Sequence, residues 1–186
     1  EVMEGYAAMG ALASDKALRA LDGLSDNDQP DARRACRPFG ENCGFTMSES
    51  AQIMVLFDDD LALELGAPTL AAIPDVFVSA DGPKKSISGP GVGNYVTFAK
   101  SASLLKNLLG DRHFSAGGVV QAHGTSTPQN RVTESQIMSQ VAVAMGVEKW
   151  TVGAIKSFIG HSLGAAAGDQ LSAMLGVWET GVMPGI

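Results

Sequence analysis

The sequence has no apolar run approaching the roughly 20 residues a bilayer-spanning helix needs. Its opening residues, "EVMEGYAAMG", have no basic stretch followed by an apolar tract, so no signal peptide is read there. Positive charge is scarce: 13 Lys and Arg stand against 20 Asp and Glu, a net charge of −7. That balance argues against wrapping nucleic acid or lying on an anionic membrane, while leaving room for a local basic patch toward an acidic partner. Only two cysteines occur, Cys36 and Cys43. Their spacing fits neither a zinc site nor a disulfide framework, so no metal site is expected and a reducing, cytoplasmic setting is. There is no internal repeat and no low-complexity tract. The chain does not open on methionine, and a piece of a longer polypeptide is expected.

What is present is a succession of short periodic segments separated by glycine and proline. Residues 6–22 are rich in helix formers, with Gly10 as an interruption. The polar, proline-punctuated stretch to residue 44 reads as a loop. "FTMSESAQIMVLF", residues 45–57, reads as a strand or hairpin, and "DDDLALELGAP" as a short helix ending near Gly66. "AAIPDVFVSADG", residues 71–82, is a second strand candidate, entered at Pro74. A glycine-proline loop, "PKKSISGPGVG", precedes an amphipathic helix with Asn94 as its expected cap and Gly110 at its end.

The second half alternates regularly. "GGVVQA" predicts a buried strand, and "TESQIMSQVAVAMG" a helix with Ile137, Met138, Val141 and Met145 on one face. "WTVGAIK" predicts another strand, and "HSLGAAAGDQLSAMLGVWETG" a long helix starting near His161. Strand, helix, strand, helix implies an α/β fold with a parallel sheet, crossover helices and both faces covered. In such sheets, sites gather at the carboxyl ends of strands. His123 follows "VVQA", Lys156 follows "VGAI", and His161 comes five residues later, so three ionisable groups are expected at one edge.

These residues carry a resemblance. "AHGTSTPQNRVTE" and "KSFIGHSLGAAAG" are similar to the two histidine motifs of the β-ketoacyl-acyl carrier protein synthases, the condensing enzymes of fatty acid and polyketide synthesis. "MGAL", "RPF", "GF" with the Glu49 segment, and the closing "GVMP" fall in the family's order. The resemblance implies a thiolase-like layered α-β-α-β-α fold, with residues 1–58 ending its N-terminal half and residues 59–186 forming most of its C-terminal half. It places the nucleophilic cysteine upstream of residue 1 and a glycine-rich loop beyond Ile186. It further implies a homodimer, an acyl carrier protein as partner, no cofactor, and decarboxylative Claisen condensation of an acyl thioester with malonyl-carrier. The sequence departs from the family's pattern at Arg131, at Ser48–Ser50, at Ala167, and at Gln170, where the family carries glutamate.

The resemblance assigns catalysis to His123, Lys156 and His161 and contact with the carrier's pantetheine arm to Thr125 and Thr127. The ordinary alternatives are turn-holding histidines, a structurally paired lysine, and hydroxyls capping the helix near Pro128. Glu134 reads as structural, near a helix start. Neither Cys36 nor Cys43 stands before a helix start with a base beside it, so neither reads as a nucleophile. "GPGVGN" lacks the lysine and hydroxyl of a P-loop. His113, Lys84 and Lys85 read as solvated loop residues, although the lysines could meet a carrier. The run Gly164–Gly168 suits close helix packing. Two other functions stay open at this level: a non-catalytic structural or chain-length subunit of a condensing heterodimer, and a thiolase-like acyltransferase using coenzyme A. The paired histidine motifs count against the latter.

Overall fold

The computed structural model describes residues 1–83 and 91–186; the stretch with Lys84, Lys85 and most of the glycine-proline loop lies outside them. The helices in order are α1 (Val2–Ala8), α2 (Asp15–Asp22), α3 (Asp59–Leu65), α4 (Val92–Gly117), α5 (Pro128–Met145), α6 (Lys156–Ile159) and α7 (Ala166–Thr180). Strand β1 (Val119–Gln121) precedes α5, and β2 (Thr151–Gly153) follows it. Short 3-10 turns lie at Ala32–Arg34 and Leu163–Ala165.

β1 and β2 pair in parallel, with Val119 opposite Thr151 and Gln121 opposite Gly153. Parallel neighbours need a crossover, and α5 supplies it. Its start is set by Pro128 in the first turn, its end by Gly146 at φ 70°. Ile137, Val141 and Ala142 of α5 pack on Ala102 and Phe114 of α4, with Val147 closing the cluster. Trp150 stacks edge-on to Phe114 at 6.0 Å, and its indole N–H donates to the Met138 carbonyl at 2.9 Å. The Lys106 ammonium donates to the Met145 carbonyl at 3.0 Å, a cation at the negative end of α5.

A second packing centre joins the chain's beginning to the site. Leu12 bridges Phe45 in parallel, and the Ala13 amide donates to the Phe45 carbonyl at 3.0 Å. Gly44 makes this approach possible: at φ 152°, a Cβ there would sit 2.4 Å from the Leu12 carbonyl carbon. Arg37 holds Asp22 with two 2.7 Å bonds, pinning the following loop onto α2.

Several expectations change. Residues 45–57 form no hairpin; among the described residues they make two isolated bridges, Leu12 with Phe45 and Met47 with His161. Residues 71–82 form no ladder among the described residues. A strand pattern states a readiness to pair, and these segments find no adjacent strand within the described residues. Asn94 is not the cap of α4: Gly91 holds that position, and Asn94 donates from backbone and side chain to Asp81. α4 runs on to Gly117 through a non-helical Gly110 at φ 75°. The long helix expected from His161 begins at Ala166, because Gly160 at φ 77° and a 3-10 turn intervene. Nor is the sheet covered on both faces: it has two strands among the described residues, and Val119 is 38% exposed.

Candidate active site

The parallel pairing continues one residue past β1, where the Ala122 amide donates to the Gly153 carbonyl at 2.8 Å. That bond carries the chain out as far as His123. Beyond it the backbone turns through Gly124 at φ 52°, where a Cβ would sit 2.8 Å from the Ala154 methyl. Glu134, one turn and a half into α5, accepts the His123 amide at 2.5 Å, the Gly124 amide at 2.9 Å and the Asn130 side-chain amide at 3.0 Å. Its carboxylate thus stands in for backbone partners that a chain leaving a strand lacks.

Lys156 opens α6 immediately after β2 and is only 2% exposed. Its ammonium donates to the His123 carbonyl at 2.7 Å. Burial pushes its pKa down, while Glu134, Cys36 and Asp169 pull it up. The lysine therefore ties the end of one strand to the start of the helix after the other.

His161 arrives by a different route. Its amide donates to the Thr46 carbonyl at 2.8 Å, and its carbonyl accepts the Ser48 amide at 3.1 Å. Its ring meets Phe45 at 5.3 Å and His123 at 5.4 Å, the two imidazoles nearly perpendicular at 87°. The Leu163 amide donates to His161 Nδ1 at 3.1 Å. An acceptor at Nδ1 leaves the proton of the neutral ring on Nε2. Burial, then the Lys156 charge, pushes the His123 pKa from 6.5 to about 4. Burial, Lys156 and His123 do the same for His161, against a smaller opposing pull from Asp169. By surface area the His123 side chain is exposed, so its burial is partial. The Lys156 charge adds to that partial burial in disfavouring the His123 imidazolium. Both rings are neutral at neutral pH.

The structure thus brings His123, Lys156 and His161 together. Thr125 is buried, with its hydroxyl 3.1 Å from that of Thr127. Thr127 holds the N-cap position of α5, but its side chain makes no capping bond. Between them Ser126 is wholly buried at φ 67°, its hydroxyl donating to Cys36 Sγ at 3.3 Å. Burial pushes both cysteine thiols up, opposite to the activation of a nucleophile. Arg131 reaches away from the histidines to the Gly40 carbonyl at 2.6 Å. His113 bonds its own helix at the Leu109 carbonyl, 3.2 Å away, and takes no part. Among the described residues no cluster of His, Cys, Asp or Glu is arranged to hold a metal.

Sequence reading missed Asp169. This residue, 8% exposed, accepts from the hydroxyls of Ser50, at 3.0 Å, and Ser162, and from the Gln52 amide. The only signal was an acid in a run of tiny residues, since its partners Ser50 and Gln52 lie far away in the chain. Gln170 supports the site at another place than the lysine: its amide donates to the Ala122 carbonyl.

Two neutral imidazoles edge to face, one with its proton held on Nε2 and a buried cation on the backbone carbonyl of the other, offer N–H donors to developing negative charge on oxygen. Residues 70–186 match the family described as "Beta-ketoacyl synthase, C-terminal domain", and the chain belongs to that family. It is 53% identical over its whole length to the β-ketoacyl-[acyl-carrier-protein] synthase FabY of Pseudomonas aeruginosa, of which it covers 29%. The crystal structure of the ketosynthase FabY from P. aeruginosa superposes with a TM-score of 0.91 at 52% identity, over 98% of this chain and 28% of that one. A type II polyketide ketosynthase solved with its acyl-carrier protein, AntDE:AntF, shares the fold at a TM-score of 0.72 and 24% identity, over 98% of this chain and 41% of that one. The fold is therefore the thiolase-like α/β fold of the ketosynthases, and the chain spans less than a third of the FabY chain.

Proposed function

We propose that the protein carrying this chain is a 3-oxoacyl-[acyl-carrier-protein] synthase, and that His123 and His161 stabilise the enolate formed when malonyl-carrier loses carbon dioxide. The observation that carries this is the perpendicular pair of low-pKa imidazoles, 5.4 Å apart, with the Lys156 ammonium on the His123 carbonyl. An acyl group waits as a thioester on a cysteine outside this chain. The malonyl carboxylate leaves as carbon dioxide, and its bonding pair becomes the enolate. The enolate carbon attacks the acyl carbonyl, the cysteine thiolate departs, and a 3-oxoacyl-carrier remains. Charge builds on the malonyl thioester oxygen in the first of these steps. Two neutral N–H donors lower that barrier by about 3 kcal/mol each. Burial, and then the Lys156 charge, keep the rings neutral, since both disfavour imidazolium.

The carrier's pantetheine arm passes Thr127 and Thr125 in this reading, with the malonyl end toward the histidines. Residues 1–58 close the first thiolase-like half and residues 59–186 build the second. The working assembly is a cytoplasmic homodimer served by an acyl carrier protein. Support for the carrier comes from FabY, a β-ketoacyl-[acyl-carrier-protein] synthase, and from the AntDE:AntF complex, a ketosynthase solved with its acyl-carrier protein.

In the native protein that carries this sequence, His123→Ala or His161→Ala should cut carbon dioxide release from malonyl-carrier by about 10²- to 10³-fold. Loading of a radiolabelled acyl chain should change far less, because that step does not use the enolate donors. Parental release by both variants would overturn the reading and leave the histidines structural.

A further inference from the structure

We infer that the first turn of α7 sets the spacing of the two imidazoles, with Asp169 and Gln170 as positioning residues. The inference rests on the function proposed above and adds what holds its geometry. Neighbouring helical residues point about 100° apart, so adjacent positions can reach two separate loops. Gln170 reaches the carbonyl of Ala122, the residue before His123. A carbonyl only accepts, so the amide nitrogen must face it and a donor is required at this position. Asp169 reaches the hydroxyl of Ser162, the residue after His161, and at the same time takes Ser50 and Gln52. One helical turn therefore grips both histidine-bearing segments, one by donating and the other by accepting.

Two further observations point the same way. Leu163, whose amide sets the His161 tautomer, stands at φ 56°. A branched residue there persists only where its surroundings hold it, and Ser162 on Asp169 fixes the residue just before it. Gly168 shows how tightly α7 meets the Gln52 segment: a Cβ there would sit 2.3 Å from the Gln52 amide oxygen.

The test uses the native protein with Gln170→Met and, separately, Ser162→Ala. Each should lower kcat for malonyl-carrier decarboxylation about 10-fold with KM unchanged, as a misplaced donor does without weakening substrate binding. A role limited to stability would not produce a selective spectroscopic signature. Gln170→Met should move the ¹⁵N imidazole resonances of His123 and leave those of His161, and Ser162→Ala should do the reverse. Asp169→Asn, which keeps an acceptor, should be milder than Asp169→Ala. Folded variants with parental kcat and unmoved resonances would overturn the inference. If Gln170→Met does not fold, Ser162→Ala decides, since it deletes one hydroxyl. Should His123→Ala and His161→Ala retain parental decarboxylation, the proposed function fails instead, and the imidazole resonances still read positioning by themselves.

Discussion

Residues 51–83 are richer in apolar side chains than residues 91–186, and the two regions use them in opposite ways. In the later region Phe114, Ile137, Val141 and Val147 are each less than a tenth exposed, and α5 packs on α4 between two paired strands. In the earlier one Ile53, Leu63 and Val78 are 80–92% exposed, and α3 has no buried residue. Hydrophobicity alone does not make a core; it needs a facing surface, and only the later region carries its own. The earlier region touches the rest at a few polar points, Gln52 on Asp169 and Asn94 on Asp81. Chemistry follows the same divide. All three site residues lie in the self-packed region, and residues 45–52 contribute supports rather than the reacting groups.

The largest expected contrast is in opening. In the 186-residue chain, amides of α5 should exchange with solvent at least about 10³-fold more slowly than those of residues 67–80, and proteases should cut the latter first. Equal exchange in both would erase the distinction. Next comes the core: Ile137→Ala should cost about 2–5 kcal/mol in denaturant unfolding, whereas Val78→Ala should stay within about 0.5 kcal/mol. A smaller loss, about 1–3 kcal/mol, is expected for Gly124→Ala, whose new methyl meets Ala154 and requires a positive φ.

The last contrast is with pH. The folded imidazoles titrate near 4, against 6.5 when unfolded. Between these values the unfolded chain binds more protons, so the stability the two imidazoles contribute falls as pH drops from about 6.5 toward 4 and is constant above. Residues 51–83 contain no histidine, so only the self-packed region should loosen in this window. Imidazole NMR titration with a midpoint near 6.5 would remove the effect.

Local signals were enough where an element carries its own boundaries. Asp58 and Gly66 delimit α3 and Gly146 ends α5 where the pattern placed them, while α5 begins at Pro128, ahead of the expected Thr133. They were not enough for residues 45–57 and 71–82, whose β-rich composition needs a partner to become a strand. The pairing of His123 with Lys156 was legible because a β-α-β order sends both strand ends to one edge. The further step to His161 was legible only as proximity in sequence, since its place depends on Thr46, Ser48 and Phe45.

Order and composition by themselves determined the α/β alternation, the gathering of two imidazoles and an ammonium at one edge, and the chemistry such groups offer. Tertiary structure alone decided which atoms face which. It put the Lys156 ammonium on a backbone carbonyl, fixed the His161 proton on Nε2 through the Leu163 amide, and gave Asp169 three donors from two segments. The reason is range: periodicity and capping act within a few residues, whereas Ser50 and Asp169 stand 119 residues apart and meet only when the chain between them has folded.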